Sequence, residues 1–99
     1  MPAVSRQGDS LTTGHGCASV TVLAIPLQST VRANGILVSV IGTPTVSHLI
    51  GTPPLCFGHV AALNKGSSTV RINSIPIGRI GDSADGGVMI SGSSNVFAG

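Results

Sequence analysis

Every histidine and cysteine of this chain lies between residues 15 and 59, and these side chains can bind a metal ion. His15 and Cys17 come first, His48 follows, and Cys56-Phe-Gly-His59 closes the stretch. One thiolate with three imidazoles suits four-coordinate zinc, and Fe(II) is the alternative. We therefore predict one structural metal ion, Zn²⁺ with iron as the alternative, bound by His15, His48, Cys56 and His59.

The two cysteines leave other arrangements open. A Cys-x-x-His pair can chelate one ion from a tight turn, and Gly58 helps the backbone to bend there. His15 and Cys17 are too close in sequence for both to be assumed ligands of the same ion, so Cys17 is a reserve ligand. In the alternatives, both cysteines are buried apolar thiols beside unrelated histidines, or Cys17 and Cys56 form a disulfide, which cytoplasmic synthesis disfavours.

Acidic groups that could support catalysis are few. Glu is absent, and Asp9, Asp82 and Asp85 are the only carboxylate side chains. A catalytic zinc site keeps an open position and usually has a general base nearby. Asp9 and Asp82 each follow a glycine at an equivalent turn of the chain, here called a corner, which indicates a role in turns. The sequence that follows the corner at Gly81-Asp82, residues 83–87, is expected to supply no metal ligand. We predict that the protein is not an enzyme.

A repeated β-hairpin must position these side chains. In residues 66–83, two runs rich in β-branched residues flank Asn73-Ser74, a pair suited to a two-residue turn. Residues 29–43 carry the same pattern 39 positions earlier, around Asn34-Gly35, the strongest short-range hairpin signal. An internal repeat of this kind decides the architecture before any single element is assigned.

A third copy is divided between the two ends of the chain. The final segment, Gly92-Ser-Ser-Asn-Val-Phe-Ala-Gly99, matches the opening of the hairpin, and the segment ending at Ser10 matches its close. We therefore expect the ends to pair as a third hairpin, with Val4 opposite Val96 and Met1 beside Gly99. Three similar units in one chain predict approximate three-fold symmetry.

Composition limits the fold and the partners. The 99 residues suit one domain, and only 8% are charged, with a mean hydropathy of +0.48, whereas an average chain carries about 25% charge. This pattern indicates a compact β protein whose surface is largely covered by a partner, because disordered chains are polar and charged. A net charge of +2 without Lys/Arg clusters argues against nucleic acid. No secretory signal or membrane span is recognised.

The predicted fold class is all-β: a small conical domain of three hairpins with pseudo-three-fold symmetry, whose loops converge on the metal site. The third hairpin is made from the two chain ends. Residues 55–63 are expected to hold one helical turn around Ala61-Ala62, and the Pro-rich residues 43–54 to be loop or edge structure. Histidines follow the corners at Gly8 and Gly42. Three-fold symmetry would therefore place these histidines at the same end of the molecule.

Together these features resemble a PAAR-repeat protein, the family that tips the central spike of contractile phage tails and type VI secretion systems. The resemblance covers essentially all of residues 1–99. It is carried by Pro76-Ile-Gly-Arg-Ile-Gly-Asp82, the N-terminal residues 1–9, the Gly-Ser-Ser strands at 66–70 and 92–96, and the His/Cys set. The central repeat departs from the pattern, because residues 37–43 lack its Pro, Arg and Asp.

The resemblance implies a cone of hairpins with a metal ion near its point, held by three His and one Cys. Its base would cap the blunt end of a trimeric β-helical spike, one chain per trimer. The tip would sharpen the spike and help to pierce the target envelope, with transient contact to the target membrane and without nucleic acid or a small-molecule substrate. The protein would be made in the cytoplasm and placed at the tip of a virion tail or baseplate, or alternatively be secreted by a type VI apparatus. The rival interpretation is a free-standing metal-binding β domain, a sensor or chaperone, without a spike partner.

Overall fold

The computed structural model describes all 99 residues, and every regular element in it is a short β-strand. The strands, numbered in chain order, are β1 (Ser10–Thr12), β2 (Val20–Val22), β3 (Arg32–Ala33), β4 (Ile36–Leu37), β5 (His48–Thr52), β6 (Leu55–His59), β7 (Arg71–Ile72), β8 (Ile75–Pro76), β9 (Ser83–Ala84) and β10 (Gly87–Val88). None of these elements is a helix of the length and apolarity needed to cross a membrane. The prediction of an all-β fold is confirmed.

The helical turn expected around Ala61-Ala62 is wrong. Ala62 forms an isolated antiparallel bridge with Pro44, and the carbonyl of Ala61 accepts a hydrogen bond from the N–H of Thr45 at 2.8 Å. Alanine has a high helix propensity, but propensity is a weak prior that tertiary pairing overrides.

The two complete hairpins have the predicted two-residue turns. Strands β3 and β4 pair across Asn34-Gly35, and β7 and β8 pair across Asn73-Ser74 with Ile72 opposite Ile75. All four turn residues have positive φ angles, between 52° and 77°. Such turns match the right-handed twist of the flanking strands, which explains why Asn and Gly occur there.

The two ends of the chain pair as a third hairpin. The N–H of Val4 donates to the carbonyl of Val96 at 3.0 Å, and an antiparallel bridge joins Ala3 to Phe97. The complete hairpins have equivalent bonds, from Ile77 to Val70 at 3.0 Å and from Val38 to Val31 at 3.1 Å. A Cβ built on Gly99 would lie 3.7 Å from the Met1 sulfur, so the predicted pairing of the ends is confirmed.

A ring of backbone hydrogen bonds joins the three hairpins. The N–H of Ser5 donates to Gly78, that of Gly78 to Ser39, and that of Ser39 to Ser5, each at 2.9 Å. These residues occupy the same position in the three repeats, so the ring closes as a three-fold rotation requires. The neighbouring bridges follow the same rotation, joining Val4 to Arg79, Arg6 to Val38, and Val40 to Ile77.

Little space remains inside this ring. The hydroxyls of Ser5 and Ser39 are hydrogen-bonded to each other at 2.7 Å. A Cβ on Gly78 would overlap the Ser39 hydroxyl and the side chain of Leu63. Glycine is therefore needed at the third position because the chains approach closely there.

The hairpins and the segments that follow them enclose separate apolar cores. The hairpin core contains Val4, Ala33, Val38, Val40, Ile72, Ile77 and Ala98. The second core contains Leu11, Leu23, Leu63, Ala84 and Met89. Most of these residues occupy equivalent positions of the repeats, with Val40 as an exception, so both cores carry approximate three-fold symmetry.

Three equivalent corners connect the two cores. Gly8, Gly42 and Gly81 have φ angles of 85°, 95° and 89°, a region that favours glycine. Beside each corner a side chain accepts a hydrogen bond from the backbone N–H three residues earlier: Asp9 from Arg6 (2.7 Å), Thr43 from Val40 (3.1 Å) and Asp82 from Arg79 (2.8 Å). The hydrogen bond from Arg79 to Asp82, aided by their charges and opposed by burial, raises the pKa of Arg79.

Exchange of residues between equivalent turn positions tests the symmetry of the two complete hairpins. Ser74 has a φ angle of 67° and occupies the position of Gly35. A side chain in this conformation costs roughly 1–2 kcal/mol, partly offset by the greater flexibility of unfolded glycine. Ser74→Gly should raise stability by about 0.5–1 kcal/mol, or a few degrees in Tm, and Gly35→Ser should lower it similarly. Calorimetry that gave both changes the same sign would contradict the equivalence.

Circular permutation tests the third hairpin. Met1 and Gly99 occupy the turn positions, so replacing them by a continuous Asn-Gly link completes that hairpin. Opening the chain between Asn73 and Ser74 then moves the chain ends to the equivalent turn of another hairpin. We expect the permutant to keep the fold, because every core position and ring hydrogen bond is retained. The measurement is a two-state melt, with a control permutant opened between Val38 and Ser39 inside the ring, which should not fold. A control as stable as the hairpin permutant would contradict the importance of the ring.

Candidate metal centre

The longest ladder of the molecule carries two of the three histidines. Strands β5 and β6 pair from His48–His59 outward to Thr52–Leu55. Residues directly opposite each other in an antiparallel ladder point to the same face, so both imidazoles lie on one side. The stretch expected to be loop or edge structure thus contains β5, which is an edge strand because its sheet has only two strands.

The third histidine and an aspartate come from the other two corner segments. His15 lies in the connection between β1 and β2, and Asp85 lies between β9 and β10. Asp85 has a φ angle of 58°, and its Oδ1 accepts a hydrogen bond from the N–H of Gly86 at 3.0 Å. The group therefore draws one residue from the first corner segment, two from the second and one from the third.

The three imidazoles converge on the Asp85 carboxylate. The Nε2 atoms of His15, His48 and His59 lie 2.8, 2.7 and 3.3 Å from its oxygens. One donor atom from each of these four residues lies within 4.8 Å of the others. The structure thus brings all three predicted histidines together, and it adds Asp85 to them.

The tautomer of His48 favours metal binding. Its Nδ1 lies 2.9 Å from the carbonyl oxygen of Val46, which can only accept a hydrogen bond, so Nδ1 carries a proton. Nε2 is then the ring nitrogen that faces the centre of the group, where its lone pair could bind an ion. A backbone carbonyl that orients the second ring nitrogen is the usual support of a metal-binding histidine.

The charge of Asp85 is set by its surroundings. Burial by itself would raise the pKa of this carboxyl group, but hydrogen bonds with His48 and His15, the charge of His15 and a hydrogen bond with His59 together lower it. The carboxylate form is therefore favoured, as required of an oxygen ligand. In the absence of an ion, the same carboxylate holds the imidazole nitrogens together.

Both cysteines lie outside this group. Their sulfurs form a disulfide, Cys17–Cys56, the alternative that cytoplasmic synthesis disfavours. Cys56 and His59 are three residues apart in β6, so strand alternation places them on opposite faces. The structure therefore has Asp85 where Cys56 was predicted, and a thiolate is not available from either cysteine while the bond is intact.

Asp85 was missed because the corner at 83–87 was expected to carry no ligand. The repeat itself contained a weak signal, since each of the other two corner segments also carries a potential ligand after its corner glycine. Asp85 differs from the other carboxylates in having no Arg nearby, whereas Asp9 and Asp82 pair with Arg6 and Arg79.

Four side chains from all three repeats can hold one metal ion. Imidazole and carboxylate donors suit zinc and iron among the first-row metals. An ion bound there would supply a structural cross-link between the three corner segments. The side chains of His48 and Asp85 are only 5% and 7% exposed, and that of His59 is 27% exposed, so the group is closed on most sides.

Comparison with models of known protein families finds no match to this chain, and comparison with curated proteins finds none either. The resemblance to PAAR-repeat proteins therefore depends on the residues quoted from the sequence.

Metal content tests the group directly. Protein purified from ordinary medium should carry about one zinc or iron ion per chain, and chelation should lower its Tm by roughly 10 °C or more if the ion contributes a few kcal/mol. His48→Ala and Asp85→Asn should abolish most of the binding. The control Asp9→Asn removes a carboxylate from a corner and should lower stability while keeping the metal. Elemental analysis without a transition metal would contradict the assignment.

Proposed function

We propose that this protein is a structural tip of the PAAR-repeat type, which caps the blunt end of a trimeric β-helical spike. The observation that carries the proposal is the ring of hydrogen bonds through Ser5, Ser39 and Gly78, each at 2.9 Å. A partner with exact three-fold symmetry needs a surface with three equivalent parts. One chain can supply such a surface only by repeating its own structure, as this chain does.

The hairpin end supports the same proposal through its exposed apolar side chains. Val31, Val70 and Val96 are equivalent in the three hairpins and are 40%, 37% and 38% exposed. Equal exposure of one residue type at three symmetric positions suits contact with three identical subunits. The exposed Arg32 and Arg71 follow two of these valines, so the hairpin end presents apolar side chains beside two cations.

The opposite end has features that suit a piercing tip. The molecule measures 41 × 23 × 22 Å along its principal axes, so it is nearly twice as long as it is wide. The β5–β6 ladder extends beyond the histidines and exposes Leu49, Leu55 and Phe57. These apolar side chains would be the first to touch a target membrane. The metal group and the disulfide would stiffen this end, where few residues are buried.

A metal sensor or chaperone is the rival function, and the closed metal group does not favour it. Exchange of an ion with a partner requires ligands that open to solvent, whereas His48 and Asp85 are almost fully buried. A stabilising cross-link is the role that a closed group supports best. We accordingly propose a non-enzymatic tip, made in the cytoplasm and placed on a virion tail or baseplate, with a type VI apparatus as the alternative.

Stoichiometry tests the spike partner. The complex with a trimeric β-helical spike from the same system should contain one copy of this chain per trimer by native mass spectrometry. Val31→Glu, Val70→Glu and Val96→Glu should each weaken binding by about tenfold or more, since a buried unpaired charge costs several kcal/mol. The matched control is Val88→Glu, which is 40% exposed but lies on a corner segment. Three copies per trimer, or equal loss in the control, would contradict the proposal.

A further inference from the structure

The disulfide joins the two parts of the chain that carry the histidines. Cys17 lies two residues after His15, and Cys56 lies in β6 opposite Gly51 of β5. The N–H of Cys17 also donates to the carbonyl of Gly51 at 3.3 Å. The bond therefore attaches the segment that carries His15 to the ladder that carries His48 and His59.

Apart from this bond, one backbone hydrogen bond, from Cys17 to Gly51, attaches the backbone of the His15 segment to the ladder. Gly14 and Gly16 flank His15, and Gly14 has a φ angle of 78°. His15 has further supports: its N–H donates to the Thr13 hydroxyl at 3.0 Å, and its imidazole contacts Asp85 and the rings of His48 and His59. A flexible segment loses its position readily, because ordering each residue costs roughly 1–2 kcal/mol.

We propose that the Cys17–Cys56 disulfide positions His15 and so makes the affinity of the metal group depend on the redox state of the two cysteines. Closing the bond completes the group of His15, His48, His59 and Asp85. Opening it releases His15 and leaves the other three. This inference rests on the metal-stabilised tip proposed above and adds the condition under which the metal is bound tightly.

The redox step is an ordinary thiol–disulfide exchange. Cys17 and Cys56 are both half-buried and thus reachable by a small oxidant. Together the two thiols give up two protons and two electrons to a small-molecule disulfide such as oxidised glutathione, which becomes two thiols as the Sγ–Sγ bond forms. Cytosolic thiols are kept reduced, whereas extracellular surroundings are oxidising. The tightly bound state therefore forms once the protein meets oxidising conditions.

Metal affinity measured with and without the bond tests this inference. The oxidised protein and the double variant Cys17→Ser/Cys56→Ser are titrated with Zn²⁺ against a competing chelator, and with Co²⁺ to read the donor set from its absorption. Loss of a group that orients a ligand typically costs 10- to 100-fold in affinity. We expect the double variant to bind Zn²⁺ with an affinity lower by that factor. Neither protein should show a sulfur-to-cobalt charge-transfer band.

A second substitution shows whether the effect passes through His15. His15→Ala should weaken Zn²⁺ binding by roughly 10-fold or more in the oxidised protein and much less in the double variant, where His15 is already released. Circular dichroism confirms that each protein is folded. If the double variant does not fold, His15→Ala in the oxidised protein still decides, because an unchanged affinity there would exclude His15 as the positioned ligand.

Three results would overturn the inference. Equal affinity of the oxidised protein and the double variant would show that the bond does not position His15, while the metal-stabilised tip would stand. Tighter binding by the reduced wild-type protein, with a sulfur-to-cobalt band, would show that a cysteine is a ligand after all. Absence of metal binding by the oxidised protein would overturn the metal-stabilised tip as well.

Discussion

The structure depends on three backbone hydrogen bonds that close a ring through Ser5, Ser39 and Gly78. Each repeat contributes one donor and one acceptor, so no repeat can complete its pairing without the other two. Every named strand has at most five residues, and isolated short hairpins are marginally stable in water. Such short strands form one fold because each repeat supplies the hydrogen-bond partners that the other two need. This dependence also explains why the chain ends are part of the fold and pair with the same register as the complete hairpins.

A chain arranged in this way has little apolar core at any level along its axis. The hairpin core has seven buried residues and the second core has five. Beyond the second core, the chain continues into the β5–β6 ladder. This sheet has only two strands, and it exposes Leu55 and Phe57. Small domains with insufficient cores are commonly stabilised by disulfides or metals. The disulfide and the histidine group both lie where the apolar cores end, which is where such stabilisation is most needed.

The sequence predicted the hairpins well because their signals are local. Asn34, Gly35 and Asn73 adopt the positive φ angles that their residue types tolerate, and the repeat then implied the pairing of the ends. It predicted the convergence of the three histidines from the symmetry of the corners. The exclusion of Cys56 could not be predicted in the same way, because strand alternation in β6 decides that Cys56 faces away from His59. That alternation depends on the register of a ladder that was expected to be loop or edge structure.

The symmetry of the molecule is close in the backbone of the hairpins and the ring, and looser in the side chains. The central repeat has Val40 and Thr43 where the other repeats have an Arg–Asp pair, yet the Thr43 hydroxyl still accepts the corner hydrogen bond at 3.1 Å from the N–H of Val40. In that repeat Leu27 packs against Gly42. Divergence of this kind is tolerated because the ring needs only backbone groups. Side chains are therefore free to differ at the corners. The metal group accordingly contains one, two and one donors from the three corner segments, whereas the hairpin end keeps three equivalent valines.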